Sequence, residues 1–344
     1  NASPKIVALS SVNPPNSAPA TRMMEITLRR RSYFANGLVA KETITFNGNN
    51  TTVDSWNSDP DNDSNTAPID YDPDPNLGIR KDGGTVASLS VQNTAMLVNQ
   101  ADIWGYVYTG GGQPQVGAQG SIRGETTPVG VAIDPNRIST DFNAEFLSVA
   151  TPLDGTTIPF IGSFLGVAGT QTKWRCSSLS LNGNSTLTIL GNVTLVLTAP
   201  SGNNAITMTG NSQIIIPDGS SLTIYTEGDI KIAGKGLSNN NIQPVSFQIW
   251  GTNQSVAGQS VQVAGNGALR AIVYAPNADV KINGNGDVMG SIIARTIILV
   301  GNAAFHYDES LSNFGGNATF GATKWRELST PAQQATYENK FSGW

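Results

Sequence analysis

Apolar and polar residues alternate through most of this chain. Leu187 and Ile189 flank Thr188, and the same spacing recurs at Ile214 and Ile216, Leu222 and Ile224, Ile230 and Ile232, Val261 and Val263, and Val280 and Ile282. Period two marks a strand with one buried face. The runs are short, and Gly-Asn pairs separate them, at Gly183-Asn184, Gly191-Asn192, Gly202-Asn203, Gly210-Asn211, Gly265-Asn266, Gly284-Asn285 and Gly301-Asn302. Both residues tolerate left-handed backbone, so they suit corners. Gly183 matches Gly202, Gly191 matches Gly210, Gly265 matches Gly284 and Gly284 matches Gly301, a period of roughly 17–19 residues. Strand and corner at a constant period predict a chain that winds round itself. The expected fold is all-β, a β-solenoid (β-helix) of such coils, each covering the apolar interior of the next.

The pattern divides the chain. Residues 1–20 read as an extended N-terminal arm, because Pro14-Pro15 interrupts regular structure. Such an arm can add a strand to a neighbour through main-chain hydrogen bonds. Residues 21–328 read as the solenoid, whose first coil opens with the alternating Met24, Ile26 and Leu28. Two irregular excursions interrupt it, at 54–84 and 125–175, and Leu237 to Pro244 reads as a loop. Residues 329–344 form a helical tail: Thr330 is an N-cap and Pro331 suits the first turn.

Composition sharpens the picture in three ways. Charged residues are 13% of the chain, against roughly 25% in an average domain, and Gly, Asn, Ser and Thr take their place at the surface. The net charge is −5, and the one basic run, Arg29-Arg30-Arg31, is too short for a nucleic-acid footprint. Cys176 stands alone, so no internal disulfide forms, and its apolar neighbours predict burial. No apolar stretch approaches the ~18 residues of a membrane span. The composition, and a first residue that is Asn, point to an extracellular protein matured by removal of a leader.

Candidate chemistry is sparse. Asp59, Asp61 and Asp63 alternate in an Asn-rich loop, the donor type that calcium takes, although the EF-hand glycine and terminal glutamate are missing. Calcium is therefore the one cofactor the residues suggest. His306, the single histidine, lies beside Asp308 and Glu309. It has the makings of a general base, but no nucleophile motif accompanies it, and a hydrogen bond across coils is the expected role. Polysaccharide-cleaving β-helices use paired acids. The N-x-D strings here, Asn277-Ala278-Asp279 and Asn285-Gly286-Asp287, come with no Asp-Asp or His-Gly, so no enzyme is expected. Trp56, Trp104 and Trp250 offer an alternative reading, a surface adhesin that stacks sugars on exposed rings.

Three stretches carry a family resemblance. They are Asn47-Gly48-Asn49 with Val53-Asp54-Ser55, then the string Gly301-Asn302-Ala303-Ala304-Phe305-His306-Tyr307-Asp308-Glu309-Ser310-Leu311, and Lys324-Trp325-Arg326-Glu327-Leu328. Together they resemble the domain that follows the pilin segment in bacterial PilX-type type IV pilus-assembly proteins. The resemblance spans residues from about 46 to 328. It gives Gly301, Asn302, His306, Tyr307, Asp308, Glu309, Trp325 and Glu327 the status of motif residues. It implies a non-enzymatic cell-surface protein that associates with itself in a filament or with other pilus subunits. The arm 1–20 would then replace the hydrophobic pilin helix, which this sequence lacks.

Overall fold

The computed structural model describes all residues except 1–3, 16, 19, 31, 49–50, 64, 234, 256–257, 266–268, 285, 316–319, 339 and 342–344. The expected corner residues Asn49, Asn266 and Asn285, and Arg31 of the basic run, lie outside the described residues. The described chain is all-β apart from four short 3-10 turns and one helix, Pro331–Glu338. It forms two compact units, one of residues 36–311 and one of residues 1–35 with 312–344.

In the larger unit the ladders are parallel, and they do not follow chain order throughout. From Phe164–Cys176 they run in sequence through Thr186–Leu197, Ser221–Thr226, Phe247–Gly251, Leu269–Gly284 and Val288–Val300. The next partner is Leu38–Asn47, far back in the sequence, with Ile292 against Leu38 and Ile297 against Ile44. Gly84–Ser88 and Asp102–Thr109 continue from there. Leu38, Ile44 and Phe46 are wholly buried at this seam. Burying a side chain of this size is worth about 1.5–3 kcal/mol.

The steps between partners differ from the expected coil length. Leu179 lies against Ile206 and Ile206 against Ile230, 27 and 24 residues on. Only at the end does the step shorten, from Val261 to Val280 and then Ile297, 19 and 17 residues on. Gly183 accordingly meets Gly210 rather than Gly202: Asn211 N–H donates to the Gly183 carbonyl at 2.7 Å. The 17–19-residue spacing near Gly183 and Gly191 reflects two successive corners of a wider turn.

Both excursions are shorter than expected. The first covers residues 57–83, between Thr52–Trp56 and Gly84–Ser88. The second ends where Phe164–Cys176 begins. That strand was hidden because its run of Gly, Thr and Gln turns a corner, with Gly166 and Gly169 at φ +97° and +70°. Residues 236–239, inside the expected loop Leu237 to Pro244, pair with Gln213–Ile216.

Residues 140–157 carry the chain back across the ladders. Phe142 N–H bonds to the Thr109 carbonyl (2.9 Å), Tyr274 Oη to the Leu147 carbonyl (2.9 Å) and Lys173 Nζ to Asp154 (2.7 Å). Eight ladder steps separate the Lys173 and Tyr108 strands, about 38 Å at ~4.8 Å each. The twelve-residue advance from Phe142 to Asp154 reaches about 40 Å when fully extended. The strap is therefore taut.

The smaller unit holds an antiparallel sheet of Lys5–Val12, Ala20–Arg30 and Phe320–Glu327. Met24, Ile26 and Leu28 thus belong to this sheet and not to a first coil. Alternation alone does not separate the two settings. The residues buried on that strand are Met23 and Glu25. Likewise the arm 1–20 is not free, since Lys5–Val12 is paired along its length. The Glu25 carboxylate accepts from Lys5 at 3.1 Å, from Arg326 at 2.8 Å and from the Tyr337 hydroxyl, so one group ties together three strands and the helix. The helix starts as its capping residues predict: Gln333 Oε1 accepts from Thr330 N–H at 3.3 Å, a capping box.

Two outcomes follow from this packing. A Cβ on Gly301 (φ +99°) would lie 2.4 Å from the Gly284 carbonyl oxygen, whereas one on Gly183 (φ +58°) meets nothing. Gly183→Ala should therefore cost about 1–2 kcal/mol of backbone strain, and Gly301→Ala clearly more in the same thermal melt, because overlap adds to strain. The Tyr337 hydrogen bond, then Arg326, hold the Glu25 carboxyl at about 2 against an ordinary 4.5. Its stabilisation is present above pH 4.5 and lost as pH falls toward 2. Hydrogen exchange in Ala20–Arg30 should accelerate over that window, and Glu25→Gln should abolish the pH step.

Candidate functional site

Each ladder turns one column of side chains outward, and the three columns differ in what lies over them. The first runs through Val196, Tyr225, Trp250, Tyr274, Ile293 and Val39. These outward positions are apolar because the strap crosses them, a strand buried on both faces. Tyr108 at its end stacks on Phe142 of the strap, centroids 6.1 Å apart.

The second column runs Arg270, Met289, His306, Asp54. The loop 57–83 covers it. Asp54 is 2% exposed and gathers three partners: His306 Nδ1, the Tyr71 hydroxyl at 2.8 Å and Arg80 Nε at 2.7 Å. Tyr71 stacks on the imidazole at 3.8 Å, and Asp287 stands 3.9 Å from Nε2, a charge contact rather than a hydrogen bond. Arg270 pairs with Asp70 of the loop at 2.8 Å. Burial favours neutral His306, but the carboxylates of Asp287 and Asp54 outweigh it and raise its pKa above 6.5. The imidazolium in turn lowers the Asp287 pKa, against its partial burial. Burial, then the charge of Asp54, pushes the Tyr71 hydroxyl up, so it stays a donor. A buried histidine clamped between acids, under an aromatic ring, fastens a loop to a ladder. It has no nucleophile beside it among the groups just named.

The other motif residues split between the two units. Gly301 is a corner and Asn302 is exposed. Tyr307 is buried, and burial raises its hydroxyl pKa. Asp308 does not bond to His306; it accepts from Ser58 N–H (3.0 Å) and Ser58 Oγ (2.6 Å), and burial outweighs these bonds to raise its pKa. Glu309 accepts from Ser55 Oγ at 2.8 Å. Trp325, 64% exposed, and Glu327, 3.6 Å from Arg22, belong to the smaller unit.

In the expected calcium loop, Asp63 N–H donates to Asp61 at 3.1 Å and to Asp59 at 3.2 Å, and Asn65 donates to Asp63. Bonds from Asp63 N–H and the Thr66 hydroxyl lower the Asp61 pKa. Among the described residues no three His, Cys, Asp or Glu side chains are grouped to hold a metal. Sugar stacking on exposed tryptophans does not match the structure. Trp56 is 0% exposed, because it fills the core and donates to the Ile69 carbonyl at 3.1 Å. Trp104 is flanked by Arg80 and Arg123, at 5.2 and 5.8 Å from its ring, and Trp250 lies between Tyr225 and Tyr274. Cys176 is buried and free. Among the described residues no helix is long and apolar enough to cross a membrane.

The third column was not singled out by sequence. It runs Ser180, Thr207, Lys231, Gln262, Lys281, Ile298 and Thr45. Beside it Ser260, Asp279, Thr296 and Thr43 form a second polar row. Lys231, Gln262 and Lys281 are exposed, and Thr207, Thr45, Thr43 and Thr296 are half-buried. The signal for it was the polar half of the alternation, which carries no motif.

The His306 clamp predicts a pH dependence. Its folded pKa is raised, so its contribution is complete below about pH 6.5 and lost as pH rises through the folded value. The melting-temperature gap between the native chain and His306→Gln should be widest near pH 5 and should narrow in alkali. Proteolysis within 57–83 should quicken in parallel.

Residues 168–314 match the family model described as a domain of unknown function, DUF7305. No curated protein matches the sequence. Among solved structures, the chain is similar to the Shewanella frigidimarina ice-binding protein_1 DUF3494 domain, at 13% identity, TM-score 0.32, covering 80% of this chain and 95% of that one. It is also similar to an ice-binding protein (LeIBP) from Arctic yeast, at 12% identity, TM-score 0.28, covering 84% and 96%. Superpositions this loose carry no argument about activity. The resemblance to PilX-type pilus-assembly proteins does not hold: the matching family model is DUF7305, and the pilus-subunit assignment falls with it.

Proposed function

We propose that the protein is a cell-surface binding module whose larger unit is a β-solenoid, and that it grips an extended polysaccharide along the third ladder. The parallel ladders support the solenoid reading, since each strand meets a later one in register and returns by corners. One observation carries the binding reading. Two outward columns are roofed by the chain's own excursions, while the third stays polar and open. Its rows repeat every ~4.8 Å along the ladder. Evenly spaced hydroxyl, amide and ammonium groups suit a polymer whose own hydroxyls recur at a similar step. The ladder's main-chain pairing holds those groups in place, so little ordering cost falls on the protein when it binds. An extracellular location suits this work, and binding without cleavage requires no catalytic group.

Co-sedimentation with insoluble cellulose, chitin and acidic polysaccharide gels tests the reading. At least one should retain the protein. Gln262→Trp, which raises a bulky ring in the middle of the column, should then weaken retention at least tenfold and leave the melting temperature unchanged. Failure of every polymer, or undiminished binding by the variant, overturns it.

A further inference from the structure

The charged groups on the third ladder fall into two kinds. Asp229 and Asp279 sit low on it and are engaged. Asp229 Oδ1 accepts from Ser260 N–H at 2.8 Å, and Asp279 bonds to Arg295 and to the Thr296 hydroxyl. Arg295 also reaches Glu42 at 3.2 Å. Lys231 and Lys281 are different. Both are exposed, and neither makes an ion pair or hydrogen bond among the described residues. Their ammonium groups ride on four-carbon stems, which lift them clear of the neighbouring carboxylates.

The two lysines share one column. Lys231 is the partner of Gln262, and Gln262 is the partner of Lys281. They therefore stand two ladder steps apart, about 9.6 Å, with an exposed amide between them. The sequence carries net charge −5, so this pair is a local cationic feature on an acidic molecule.

We infer that the polysaccharide taken by this ladder is acidic, with a carboxylate on alternate sugars: Lys231 and Lys281 each meet one anion, and Gln262 meets the hydroxyls of the sugar between. This inference rests on the binding reading above and narrows it to one ligand class. Neutral polymers would satisfy Gln262 and the threonines and leave both ammonium groups without counter-charge. Exposed charge pairs are screened by salt, so binding should weaken as ionic strength rises.

Hyaluronan, which alternates charged and neutral sugars, and carboxyl-reduced hyaluronan, its uncharged match, form the test pair. The native protein should bind the first at least tenfold more tightly than the second at low salt. K231Q/K281Q should erase that preference, and K231R/K281R should keep it. All three proteins should melt at the same temperature, since both side chains are exposed. Equal binding of both polymers, or a preference that survives K231Q/K281Q, overturns the acidic ligand and leaves the binding reading intact. Loss of all polymer binding by the native protein overturns both.

Discussion

The larger unit depends on the seam where Leu38–Asn47 docks between Val288–Val300 and Gly84–Ser88. It is the one place where the late part of the chain meets the early part as a continuous ladder. Ile292, Ile297 and Leu299 on one side and Leu38, Ile44 and Phe46 on the other are buried almost completely. Without this contact each half would end in an unpaired strand edge over an open core, a state prone to wrong pairing. Partners here are separated by more than 250 residues, Ile292 and Leu38 for example. Loop-closure entropy has to be met before such a contact gains anything, so the seam forms late if the later run folds first.

The seam also explains where the excursions go. Once the early strands sit beyond the late ones, residues after Ser139 must travel back along the ladders to begin again at Phe164. That return is the strap over the aromatic column. The loop 57–83, with Tyr71, Arg80 and Asp70, closes the column at Asp54 and His306 in the same region. Two outward columns are thereby spent on holding the molecule together. The third is left to solvent, and its hydroxyls, amides and lysines are what a ligand would meet.

Alternation and Gly-Asn corners made the strands legible, and Thr330-Pro331 made the helix legible. The order of the ladders was not, because period two is silent about which strand pairs with which. Met24, Ile26 and Leu28 show the same limit: their spacing fits a coil or an antiparallel strand equally, and Lys5–Val12 and Phe320–Glu327 decide it. Outward apolar residues such as Val39 and Ile293 blurred the pattern where the strap covers them. His306 was conspicuous as a single histidine, but its partner Asp54 lies 252 residues away and carries no local signature. Lys231 and Lys281 look like ordinary surface charges until the register sets them in one column.

The tautness of the strap has an evolutionary consequence. Stacked-repeat proteins ordinarily grow by copying a unit, since each unit touches only its neighbours. Here a duplicated turn between Leu179 and Val300 would push the two ends of the strap a further ~4.8 Å apart, and residues 140–157 have almost no slack to yield. Gene duplication in this lineage would have to lengthen two distant stretches at once. The number of turns is therefore inherited as a fixed dimension, and the reach of the open ladder with it.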